Sequence, residues 1–115
     1  MFAPPIGPFG VAFFEPTMPS SPIPTSVMIL GKTYTISLNE LDGLLGCVDH
    51  SSQHIQINTG QHPESERDSL LHEIFHAVCF QTHLKLSERQ VHALGAGLYQ
   101  ILTQNPDLVN YVRRL

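Results

Sequence analysis

Charge is scarce in this chain. Charged residues make up 14% of the 115, the 6 lysines and arginines are outnumbered by 10 acids, and the net charge is −4. No basic cluster is larger than Arg113-Arg114, so the chain lacks the clustered cationic face that a nucleic-acid backbone requires. Long apolar runs are also missing: none approaches the roughly 20 residues of a bilayer-spanning helix. The first basic residue is Lys32, so no cationic segment precedes an apolar stretch, and neither a membrane span nor a secretory leader is expected. Cysteine is limited to Cys47 and Cys79, which form no C-x-x-C pair and no disulfide framework. That usage fits a reducing, cytoplasmic compartment.

What is present is enough for one domain. A hydrophobic share of 42% is ordinary for a globular protein, and this length supports a single modest core. Seven of the nine prolines (Pro4, Pro5, Pro8, Pro16, Pro19, Pro22 and Pro24) fall before residue 26. Proline at that density removes ladder donors and favours extended segments, so residues 1–25 read as an arm and 26–115 as the folded domain. Phe2, Phe9, Phe13 and Phe14 make the arm too apolar for a plain linker, which suits contact with the body or with a partner protein. The alternative is that translation starts at Met18 or Met28 and the arm has no role.

The domain reads as strands followed by helices, an α+β pattern. Val27–Leu30, a Gly31-Lys32 turn and Thr33–Leu38 form a hairpin in which Tyr34, Ile36 and Leu38 alternate with polar residues. Asn39–Leu45 is a loop. Gly46–His50 and Gln53–Asn58 form a second hairpin, with Ile55 and Ile57 on its apolar side. A long helix starts at Pro63, or at Glu66 if Ser65 and Asp68 form a capping box, and reaches Phe80 or beyond. Leu71, Ile74, Phe75 and Val78 give it an apolar stripe. Ser87 and Gln90 match a capping box opening a second helix, in which Gly95 and Gly97 suggest close approach to the first. Asn105-Pro106 opens a short third helix. The expected architecture is a small, antiparallel-rich twisted sheet of two hairpins packed on the first helix.

That first helix carries His72-Glu73-Ile74-Phe75-His76, an H-E-x-x-H sequence. Residues four apart lie on one helical face about one turn from each other, so His72 and His76 can aim two imidazoles at one zinc ion. Glu73 projects beside the same point, placed to take a proton from an attacking water. Catalytic zinc takes three protein ligands, and four residues are candidates for the third: Cys79, His83, Glu88 and His92. His83 lies seven residues past His76, about 10 Å along the axis at a rise of 1.5 Å per residue, out of reach unless the helix breaks. Cys79 and Thr82 stand where the extended H-E-x-x-H-x-x-G-x-x-H pattern has glycine and histidine, so that pattern is excluded. Glu88 opens the next helix and can fold back across the first; His92, one turn on, is its substitute.

The run from Leu70 to Leu115, with HEIFHAV, LSERQVHALGAGLYQIL and NPDLV, resembles the small phage- and bacteria-encoded metallopeptidase-like proteins of the gluzincin group. The Glu88-x-x-Val91-His92-x-Leu94 stretch is similar to the E-x-x-A-N-x-F segment of the ImmA/IrrE-type peptidases, with histidine at 92 where those often have asparagine. With the ILGKTYTI hairpin and the QHIQIN strand, the resemblance spans residues 27 to 115. It implies a minimal zincin-like fold in a bacterial or phage-infected cell, with Zn²⁺ on His72, His76 and Glu88 and with Glu73 as catalytic base. It also implies a peptide or protein substrate lying extended beside an edge strand, for which Gln53–Asn58 is the candidate.

His92, Tyr99 and Tyr111 are candidates for stabilising the oxyanion, and packing is the plainer role for each tyrosine. His50, His54 and His62 read as solvated, Cys47 as a half-buried sheet residue and Cys79 as an inert buried thiol. Two other readings remain: a non-catalytic module whose zinc, closed by a fourth protein ligand, serves only stability, and a degenerate peptidase fold that contacts another protein through the arm.

Overall fold

In a computed structural model covering residues 22–114, the chain forms four strands followed by three helices. β1 (Ser26–Ile29) and β2 (Lys32–Asn39) pair antiparallel, closing at Ile29 opposite Lys32. The two residues between them, Leu30 and Gly31, have φ of 50° and 85°. Positive φ at both central positions gives the twist that suits a two-residue hairpin, and Gly31 supplies one of them without steric strain. β3 (Gly46–Asp49) and β4 (His54–Asn58) form the second antiparallel hairpin. Its turn is held by Asp49 Oδ1, which accepts from the Ser51 amide and hydroxyl at 3.0 and 2.9 Å.

The two hairpins join through a parallel pairing of β2 with β4, from Thr35 opposite His54 to Asn39 opposite Asn58. The sheet is therefore mixed, with strand order β1-β2-β4-β3. The segment between β2 and β3, followed by β3 itself, carries the chain back along the sheet, so that β4 runs in the direction of β2. Gln53–Asn58 is consequently not an edge strand: β4 lies between β2 and β3, and β1 and β3 are the edges. Ile55 and Ile57 at 0% exposure suit that interior position. Burying each contributes about 1.5–3 kcal/mol. On the other face, Ser37 meets His54 at 2.8 Å and Asn39 Nδ2 donates to Gln56 Oε1 at 2.9 Å, so the polar residues of the alternation bind the same two strands together.

α1 (Pro63–Thr82) packs on this sheet, touching β1, β3 and β4. Ile74 and Val78 join the core as the sequence pattern suggests, with Leu70 and Ala77 beside them. Phe75 instead faces α2 (Glu88–Gln104), near Gly95. A helix held between a sheet and a second helix needs two apolar faces, so a single stripe describes α1 incompletely. Gln81 anchors its far end by donating to the Ile29 carbonyl at 2.9 Å and the Tyr34 hydroxyl at 3.3 Å. Among the described elements, α3 (Pro106–Arg113) contacts α2 alone. Asn105 opens it without a side-chain cap, its amide donating back to the Ile101 carbonyl at 3.0 Å.

Most of the expected arm lies outside the described residues. Of its end, Ile23 packs against the core and the Thr25 carbonyl accepts the Ile36 amide at 2.8 Å. Among the described residues, no helix is long and apolar enough to cross a membrane.

Candidate metal centre

Local chemistry at the ends of α1 and α2 sets the site. α1 begins at Pro63 rather than at Glu66, with His62 Nδ1 accepting the Glu64 amide at 3.3 Å. The Ser65 and Ser69 hydroxyls donate to Gln61 Oε1 at 2.6 and 3.1 Å instead of forming a later cap. Gln61 Nε2 donates in turn to the Leu45 and Asn58 carbonyls, both at 3.0 Å. One side chain thus ties the start of α1 to the residue before β3 and to the end of β4.

At the other end, His83 takes the left-handed conformation with φ of 58°, and the Leu84 amide reaches back to the Cys79 carbonyl at 3.0 Å. This C-cap turns the chain back over α1. Ser87 then forms the capping box: its hydroxyl accepts the Gln90 amide at 3.1 Å and its amide donates to Gln90 Oε1 at 2.8 Å. Glu88 is therefore held in the first turn of α2. Gly95 is buried where α2 meets α1, and a Cβ placed on it would lie 3.7 Å from His72 Cα. A Cβ on Gly97 would meet nothing within 4 Å, so close approach explains the first glycine and not the second.

The result brings His72, His76 and Glu88 together. The two Nε2 atoms are 3.2 Å apart, and Glu88 Oε1 lies 2.5 Å from His72 Nε2 and 3.0 Å from His76 Nε2. One donor atom from each residue falls within 4.8 Å of the others. Tetrahedral zinc with bonds of about 2.0–2.1 Å places its ligand atoms about 3.3 Å apart; the histidine pair matches that spacing, and Glu88 Oε1 is near it from His76 but well inside it from His72. The bond from His76 is the leading reason that the Glu88 carboxyl is held below its ordinary range, against the opposing effect of burial. His92 lines the same cleft, its ring 6.2 Å from that of His72, but stays outside the donor group, as do Cys79 and His83.

Glu73 belongs to a different environment from Glu88. It is 7% exposed, and burial pushes its carboxyl above the usual range against the pull of the His72 and His76 imidazoles. Its cover is β3: a Cβ on Gly46 would come 3.2 Å from Glu73 Cγ, 3.1 Å from Ile57 Cδ1 and 3.3 Å from the Gln56 carbonyl oxygen. A side chain at residue 46 would therefore crowd these neighbours, which would have to give by a few tenths of an ångström. Cys47, half-buried in the same strand, has its thiol raised by burial and by the charges of Glu73 and Asp49.

The site opens into a cleft of about 530 Å³, with Leu44, Leu45 and Val48 along one wall and His50 among its lining residues. Tyr99 and Tyr111 are not among those residues. The histidines read as solvated have structural partners: His62 caps α1, His54 bonds Ser37, and His50 stacks on Phe80 with ring centres 4.1 Å apart and planes 2° from parallel. His50 Nδ1 is buried with no hydrogen-bond partner among the described residues. Sequence pattern assigned no role to Gly46 or Gln61 and read His50 as solvated. A glycine opening a strand was a readable sign of close approach at Gly46, whereas Gln61 and His50 owe their roles to contacts that have no local pattern.

No protein-family model, curated protein or solved structure matches this chain.

Proposed function

We propose that this chain is a zinc-dependent peptide hydrolase. The observation that carries the reading is the separation of roles within one cleft: three convergent donors on His72, His76 and Glu88, and beside them a buried carboxylate, Glu73, whose raised pKa suits a general base. Zinc held by the three donors would polarise a peptide carbonyl and acidify water. Glu73 takes the proton from the attacking water and returns it to the leaving amine. Burial under β3 raises the affinity of this carboxylate for the proton that it must carry. The free edge of β3 borders the cleft and replaces β4 as the strand beside which an extended peptide lies. The H-E-x-x-H sequence and the resemblance to gluzincins support the same reading.

A purely structural zinc site would need a fourth protein donor to close its shell. Among the described residues the donor group has three members, with His92 and Cys79 outside it, which favours an open site.

The deciding experiment compares wild type with Glu73→Gln, His76→Ala and Glu88→Ala in zinc content and in cleavage of a mixed fluorogenic peptide library. Glu73→Gln should keep about one zinc per chain and lose activity by about 10²–10⁴-fold, while the other two lose the metal. A Glu73→Gln protein that cleaves as wild type does, or a wild type with a four-residue zinc shell, overturns the proposal.

A further inference from the structure

A second depression, about 410 Å³, lies against the candidate metal centre. His50 and His76 line both spaces, so the two are neighbours that share that pair of rings. Beyond it the lining is largely apolar: Cys79 and Phe80 come from the last turns of α1, and Leu84 and Leu86 from the segment that leads to α2. Phe80 and Leu84 are 55% and 52% exposed, although each sits beside a helix end whose backbone is well ordered by hydrogen bonds. The parallel stack of His50 on Phe80 gives the groove a flat wall. The only ordinarily charged side chain on its lining is Lys85.

We infer that this groove is a specificity subsite that takes an apolar side chain of the peptide bound at the metal centre. The inference rests on the hydrolase reading and adds the substrate class. The occupant follows from the adjacency: a chain lying along β3 past His76 carries its next side chains into the neighbouring space bounded by Phe80, Leu84 and Leu86. Large apolar side chains gain from covering these exposed surfaces. A lysine or arginine would meet Lys85 and would have no acid on the lining to pair with.

The test uses zinc-loaded full-length protein and two zinc-binding probes, acetohydroxamate and 3-phenylpropanohydroxamate, titrated by calorimetry. In wild type the phenyl probe should bind about tenfold or more tighter than the methyl one, reflecting the extra apolar surface that it covers. Leu84→Glu and Phe80→Ser should each abolish most of that gain while leaving zinc content and acetohydroxamate affinity unchanged. An equal affinity of wild type for both probes, or a gain that survives in both variants, overturns the subsite. Failure of the zinc-loaded wild type to bind acetohydroxamate overturns the metal-centre reading itself, which separates the two failures.

Discussion

Glu73 and Gly46 are close neighbours, and the strand lies over the Glu73 side chain where residue 46 adds no Cβ of its own. Gly46→Ala must crowd Glu73 Cγ, Ile57 and the Gln56 carbonyl, and overpacking of this kind costs about 1–3 kcal/mol. The shift is expected in the urea midpoint at unchanged slope. Glu73 also makes metal-free stability depend on pH. A carboxyl whose folded pKa is raised holds its proton longer in the folded state, so its burial is tolerated below the ordinary carboxylate range and increasingly opposed as pH rises through the shifted value. Metal-free Glu73→Gln should therefore match wild type near pH 3 to 4 and be the more stable protein at pH 7 to 8. Urea titrations at the two ends would show it. Glu88 has the opposite sign: with its pKa lowered by His76, whatever stability the bond contributes is present above the ordinary carboxylate range and is lost as pH falls through the shifted value.

At the scale of elements, the start of α2 is where sequence pattern and site meet. Ser87 and Gln90 form both bonds of the box, and Glu88 is the next residue after the cap. Ser87→Ala should cost about 1 kcal/mol of stability and weaken zinc binding measurably in a competition titration with a chelator dye, because the third donor loses its fixed helical start. The two glycines of α2 should behave differently from each other. Gly97 is exposed and faces open space, so Gly97→Ala should stabilise by about 0.5–1 kcal/mol, read as a rise in melting temperature. Gly95 has room for a methyl group at ordinary contact distance from His72 but for little more, and Gly95→Leu should separate the helices and abolish metal binding.

At the scale of the whole molecule, the described residues form a sheet, a site helix held between that sheet and α2, and a third helix that among the described elements touches α2 alone. The three donors come from two helices joined only by a short turn and side-by-side packing, so metal binding should clamp α2 onto α1. Binding to the folded state alone adds stability as RT ln(1 + [L]/Kd), about 2.7 kcal/mol at a hundredfold excess over Kd. Added zinc should accordingly raise the melting temperature of wild type with concentration, a chelator should reverse the rise, and His76→Ala should be indifferent to both. A melting temperature of wild type that ignores zinc would contradict the clamp.

Local signals were sufficient for much of this. Both hairpins, the Pro63 and Ser87 helix starts and the pairing of His72 with His76 rest on turn residues, caps and i, i+4 spacing, which act within a few positions of the chain. Side-chain alternation in Tyr34, Ile36, Ile55 and Ile57 marked the buried face of the sheet, although Leu38, which continues it in β2, is 41% exposed at the end of that strand. Alternation says which face is buried and nothing about which strand is the neighbour, so the parallel pairing of β2 with β4 and the edge position of β3 were decided only by the tertiary structure. The same holds for the choice of Glu88 over His92 as the donor nearest the two imidazoles, for the cover that Gly46 gives Glu73 and for the stack of His50 on Phe80. Each joins residues far apart along the chain or separated by a turn, and their meeting depends on how α1 settles between the sheet and α2.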